Sequence, residues 1–108
     1  MSCTCVFVLN RHEILQLTET SLSANRPDFA RKLARVWLQA WPQDFSVNLC
    51  LARALFAEAE NADALEILKK LALVDPEHAE VHQVIATVAG RIGDKRLYEE
   101  SDGISRIL

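Results

Sequence analysis

An all-α fold of paired helices is the architecture this sequence predicts, and three observations predict it. Apolar residues recur at intervals of three and four, the period of a helix with one buried face. Pro42 and Pro76, Ala30 and Ala64, and Leu17 and Leu51 are each 34 residues apart, and the same step from Leu51 and Ala52 reaches Ile85 and Ala86. Finally, half of the 108 residues are hydrophobic while Gly and Pro number only three each, too few for the many turns of an all-β design. A chain of this length supports one domain with one core.

The first nine residues, containing "CTCVFVL", are expected to form a frayed or capping N-terminal segment, with the helical domain occupying 10–108. Helices are predicted over 10–23, 28–40, 44–57, 62–74, 78–91 and 95–107. In "ANRPD", Asn25 offers a turn and Pro27 suits a helix's first position, where the missing N–H costs nothing. "AENAD" offers Asn61 as the N-cap of the helix carrying Ala64, Leu68 and Leu71. Gly93 in "RIGD" suits a left-handed helix end. "WPQD" and "DPEH" end the second and fourth helices, and their prolines are expected to pre-set φ for the helix that follows. The units are thus 11–44, 45–78 and an incomplete 79–108.

At this point the chain resembles the tetratricopeptide repeat family. Asn48, Leu51, Ala52 and Leu55 fall at the family's Trp, Leu, Gly/Ala and Tyr positions, and Ala64, Leu68, Leu71 and Pro76 at its Ala, Phe, Ala and Pro positions. In unit one the corresponding residues are Ile14, Leu17, Thr18 and Ser21, then Ala30, Ala34, Trp37 and Pro42; the third supplies His82, Ile85, Ala86 and Ala89. There are departures: Thr18 is larger than usual, Trp37 fills a normally small site, Tyr98 replaces Ala, and Gly103 is expected to interrupt the last helix. The resemblance implies antiparallel helix-turn-helix repeats stacked as a short right-handed superhelix, its last helix packing differently, as terminal repeats do.

Composition and motifs narrow the function classes. A net charge of −3 with interspersed signs gives no electrostatic footprint for nucleic acid. "CVFVL" is too short for a membrane span. Cys3, Cys5 and Cys50 make an odd count, which argues for a reducing compartment, with the cytoplasm as the expected location. No catalytic constellation, phosphate loop, metal site or cofactor site is predicted. Cys3-x-Cys5 supplies half of a zinc site, and "HAEVH" places His78 and His82 on one helical face without the metalloprotease pattern. Cys50 reads as a small buried apolar residue, and Trp37 and Trp41 as core packing with a turn clamp, against an alternative role as partner anchors.

In the resembled family the first helix of each unit lines a concave groove for a peptide or partner helix. By position this implies partner binding by Leu15, Glu19 and Leu22, by Leu49, Arg53 and Phe56 with Ser46, and by Glu80, Gln83, Thr87 and Arg91. Lying off the stripe that meets the second helix, these side chains are expected to be exposed. One subfamily grips a C-terminal carboxylate with basic and amide groups. The matching positions, Leu15, Glu19, Cys50, Glu80 and Val84, contain no base and two acids, so that activity is not implied. The functional expectation is a non-catalytic protein–protein interaction scaffold, with a protein or peptide partner and no cofactor. The alternatives are a self-association module, such as a homodimer, or a regulatory module of a larger protein. A third is a metal- or redox-responsive protein using Cys3, Cys5 and histidines.

Overall fold

The computed structural model describes residues 10–108. Among them six helices follow one another: α1 Arg11–Ser23, α2 Pro27–Ala40, α3 Phe45–Ala57, α4 Asn61–Val74, α5 Ala79–Ile92 and α6 Lys95–Ile107. Each packs on the next in antiparallel pairs, and α1 also touches α3, as α3 touches α5. The first helices of the three pairs therefore lie side by side in a body of 47 × 25 × 20 Å. The N-terminal segment, with Cys3 and Cys5, lies outside the described residues.

The repeat is written into the backbone at two kinds of position. Asn10, Asp44 and His78, each 34 residues from the next, are the N-caps of α1, α3 and α5. Their side chains accept from Glu13 N, Val47 N and Val81 N at 2.8, 3.3 and 3.4 Å, satisfying amides that have no partner inside the helix. Asn25, Ala59 and Gly93 keep the same spacing and all have positive φ, at 61°, 65° and 79°. Just beyond them, the amides of Arg26, Glu60 and Asp94 donate to the carbonyls of Ser21, Leu55 and Ala89 at 2.8–2.9 Å. This is the left-handed helix stop that turns the chain back on itself, used three times, and only once with glycine.

Two expectations about helix ends are corrected. Asn61 is not an N-cap: it is the first residue of α4, preceded by Glu60, which makes no side-chain cap. The turn at Ala59 commits the Glu60 amide to Leu55 and the helix begins at once, leaving Asn61 Oδ1 buried with no hydrogen-bond partner among the described residues. Nor do Pro42 and Pro76 open the next helices. They sit within the turns, and capping falls to Asp44 and His78, two residues further on.

Small residues let the helices approach. Ala30, Ala34, Ala52 and Ala64 are all fully buried, where a larger side chain would force the backbones apart. Thr18 is buried too, its hydroxyl satisfied by the Ile14 carbonyl at 2.7 Å. One core cluster gathers Ile14, Trp37, Val47, Leu51 and Leu55 around Ala34 and Ala64. A second gathers Leu49, Leu68, Leu71, Val81, Ile85 and Val88 around Ala52. Phe56 and Ile67 pack against both and join them.

The last helix departs from its counterparts. Where α2 and α4 bury Ala30, Ala34 and Trp37, or Ala64, Leu68 and Leu71, α6 buries Ser101 and half-buries Leu97, Ile104 and Ser105. It is turned by about one position relative to the others. Tyr98, at the small-residue position, is left 42% exposed with its ring against Gly90, where an added Cβ would lie 3.4 Å from Cδ2. Gly103 does not interrupt α6, which runs on to Ile107. An interior glycine costs a helix about 1 kcal/mol, and packing of Ser101 and Ile104 together with the Arg106–Asp102 pair at 3.1 Å offsets it.

Candidate functional site

Because α1, α3 and α5 stand side by side, side chains at equivalent positions converge on one face. A cleft of about 250 Å³ opens there. Leu15 and Glu19 enter it from α1, Ser46, Leu49, Cys50 and Arg53 from α3, and Glu80 from α5, with Phe45 and His78 closing one end. Six of the eleven residues expected on this face therefore meet in the cleft: Leu15, Glu19, Ser46, Leu49, Arg53 and Glu80. The structure does not bring the other five into its lining. Phe56 and Arg91 form a neighbouring pair, with the guanidinium 4.1 Å from the ring centroid and donating to the Phe56 carbonyl at 3.3 Å. Gln83 and Thr87 are exposed on α5, where the threonine hydroxyl donates to the Gln83 carbonyl at 2.9 Å. Leu22 is half-buried on α1.

The expectation of exposure is corrected at six positions: Leu49 is buried, and Leu15, Leu22, Ser46, Arg53 and Phe56 are half-buried. Leu49 is only 6% exposed, because it packs across to α5 within the second core cluster and presents just its edge to the cleft. Phe56 is half-buried between the two clusters and covered by Arg91. Both contribute to holding adjacent pairs together.

Arg53 is already engaged. Its Nη1 donates to Glu19 Oε2 at 2.6 Å, linking residues 34 apart on α1 and α3. Burial alone would lower the Arg53 pKa, but the Glu19 carboxylate outweighs it and the net shift is upward. Beside this pair, burial and then the same carboxylate push the Cys50 thiol up to about 11, and its Sγ lies 3.9 Å from Glu19 Oε2. A thiol so held is neutral at physiological pH and a poor nucleophile.

The histidine rings are used structurally. His82 is buried, with Nε2 2.7 Å from the Pro76 carbonyl, while His78 caps α5 through Nδ1 and tilts against the Phe45 ring at a centroid distance of 5.0 Å. Among the described residues no group of three or more His, Cys, Asp or Glu side chains could hold a metal ion. Nor, among them, is any helix long and apolar enough to cross a membrane.

The signal the sequence reading missed is Asp44. Besides capping α3, its carboxylate accepts from Trp37 Nε1 at 3.0 Å and from Arg11 Nε and Nη2 at 2.8 and 3.0 Å. It thereby ties the ends of three helices at one edge of the face. Its spacing of 34 from Asn10 and His78 was the legible clue. Trp37 is buried, in line with the core-packing reading, but Trp41 is 47% exposed and stacks on it, with centroids 4.4 Å apart.

No curated protein and no solved structure matches the chain. A family model described as Tetratricopeptide repeat matches residues 15–88, from the middle of α1 to the last turns of α5. Proteins of that family generally mediate protein–protein interaction. The match covers most of the chain and agrees with the 34-residue recurrence of caps and turns, so the chain belongs to the tetratricopeptide repeat family.

Proposed function

We propose that this protein is a non-catalytic interaction module that takes a partner's helix or extended segment on the face made by α1, α3 and α5. The observation that carries the reading is the convergence of Leu15, Glu19, Ser46, Leu49, Arg53 and Glu80 from three helices on one cleft. Such a concave, mixed apolar and polar surface on rigid elements suits segment recognition. Leu22, Phe56, Gln83, Thr87 and Arg91 extend the face beyond the cleft. A photo-crosslinking side chain at Gln83 should capture a partner, while the same group at exposed Lys69 on α4 should not. Equal capture at both positions would remove the face from consideration.

A second reading, self-association, is favoured by exposed apolar side chains of the last pair, where Ile92 of α5 and Tyr98 and Ile107 of α6 are 46%, 42% and 84% exposed. Sedimentation equilibrium up to high micromolar concentration tests it, and a monomer throughout would dismiss it.

A further inference from the structure

The cleft carries an unbalanced charge. Two carboxylates, Glu19 and Glu80, enter it with one guanidinium, Arg53. Arg53 is committed to Glu19 at 2.6 Å, and Glu80, though within Coulombic reach of Arg53, is exposed and makes no contact ion pair among the described residues. Arg91 does not restore the balance, because it lies over the Phe56 ring outside the lining. Setting the His78 imidazole aside, one net negative charge therefore sits beside Leu15, Phe45 and the edge of Leu49.

Each class of partner side chain meets this arrangement differently. An entering carboxylate finds two like charges and no uncommitted cation, a repulsive term that discriminates against it. An apolar side chain gains the walls but takes water away from Glu80 without replacing it. A long cationic side chain satisfies both, with its methylene stem along Leu15, Leu49 and Phe45 and its head at the carboxylate. We propose that the cleft receives a lysine or arginine side chain of the partner segment, with Glu80 as its ionic counterpart. This rests on the face being the partner site, and adds the chemistry of the partner.

The test is an array of immobilised dodecapeptides of mixed apolar and polar sequence, with one central position varied as Lys, Arg, norleucine, Gln or Glu. It is probed with the full chain, and the best binders are then measured by fluorescence polarisation. Lys or Arg should bind more tightly than norleucine by about fivefold, the scale of a partly exposed ion pair. Glu80→Gln, at an exposed position, should reduce that ratio to about one with the circular dichroism unchanged, and Glu80→Lys should shift preference towards Glu. Binding without a cation preference, or a preference that survives Glu80→Gln, would overturn the cleft assignment. The wider face would still stand if Gln83→Arg and Thr87→Arg weakened that binding. Binding indifferent to all of these substitutions, or no bound peptide at all, would overturn the face and the inference together.

Discussion

Arg11, the first residue of α1, holds Asp44, the N-cap of α3, through two hydrogen bonds of 2.8 and 3.0 Å across 33 residues of chain. The carboxylate is almost enclosed, at 7% side-chain exposure, and also receives Trp37 Nε1 and the Val47 amide. A single side chain thus sets the relation between the first pair and the second.

Asp44→Ala should destabilise the fold by about 2–4 kcal/mol, since it removes the cap of α3 and the buried carboxylate to which Trp37 Nε1 and Arg11 donate. Burial raises the Asp44 pKa, but the bonds from Arg11, Trp37 and Val47 outweigh it and hold the value below the ordinary 3.8. The resulting stability is present above the unfolded-state pKa and is lost as pH falls through the lower, folded-state pKa. Urea melts from pH 7 to pH 3 should therefore show an acid loss of stability that is smaller in Asp44→Asn than in the native protein.

Ala59 is a non-glycine residue in the left-handed region, at φ 65°. That conformation costs an L-residue about 1–2 kcal/mol. Ala59→Gly should stabilise the protein by roughly 0.5–1 kcal/mol after allowing for the greater freedom of glycine in the unfolded chain. Gly93→Ala, at the equivalent turn, should do the opposite for conformational reasons alone, because among the described residues nothing lies within 4 Å of the added Cβ. Denaturant midpoints of the two variants should move in opposite directions.

Phe56 joins the two core clusters, so Phe56→Ala should cost about 1–3 kcal/mol in stability. A loss of partner binding in that variant would mix folding with recognition. Gln83→Arg and Thr87→Arg, both at exposed positions of α5, should leave the thermal midpoint within about 2 °C of the native value, as surface changes do. They are the substitutions that read the face itself.

Cys50 should resist alkylation. With its thiol pKa raised to about 11 by burial and by Glu19, and with the residue only 4% exposed, iodoacetamide at pH 8 should modify it slowly in the native protein and rapidly in urea. Peptide mass spectrometry after timed quenching distinguishes it from Cys3 and Cys5. Rapid native labelling would show that the α3 face opens readily.

Much of the fold was legible because its signals are local. Apolar spacing and turn residues placed the helices within a residue or so of their observed ends, and Ala30, Ala64 and Gly93 declared their roles by size or flexibility. Ala59 did not, since alanine carries no sign that its φ is positive; only its register with Asn25 and Gly93 reveals it. Leu49 was misplaced because it lies off the stripe facing its own pair yet is buried by α5, a neighbour that a single-helix pattern does not contain. The rotation of α6 escaped for a related reason: Tyr98 cannot occupy the space of an alanine, and the helix settles on Leu97, Ser101 and Ile104. Within the candidate site, the residue types could be assigned to one face, but the pairing of Arg53 with Glu19 needed the distance between α1 and α3.

Trp37 and Trp41 are the two tryptophans of the chain, and they stack at the end of α2 with ring planes inclined by 26°. Intrinsic fluorescence excited at the indole band is therefore a local reporter of the junction between the first and second pairs, blind to α5 and α6. Far-ultraviolet circular dichroism, by contrast, averages over all the helices. In a stack whose pairs contact only their neighbours, the two optical signals need not change together. A fluorescence transition displaced from the dichroism transition would show which end of the stack melts first, using no label but the protein's own chromophores.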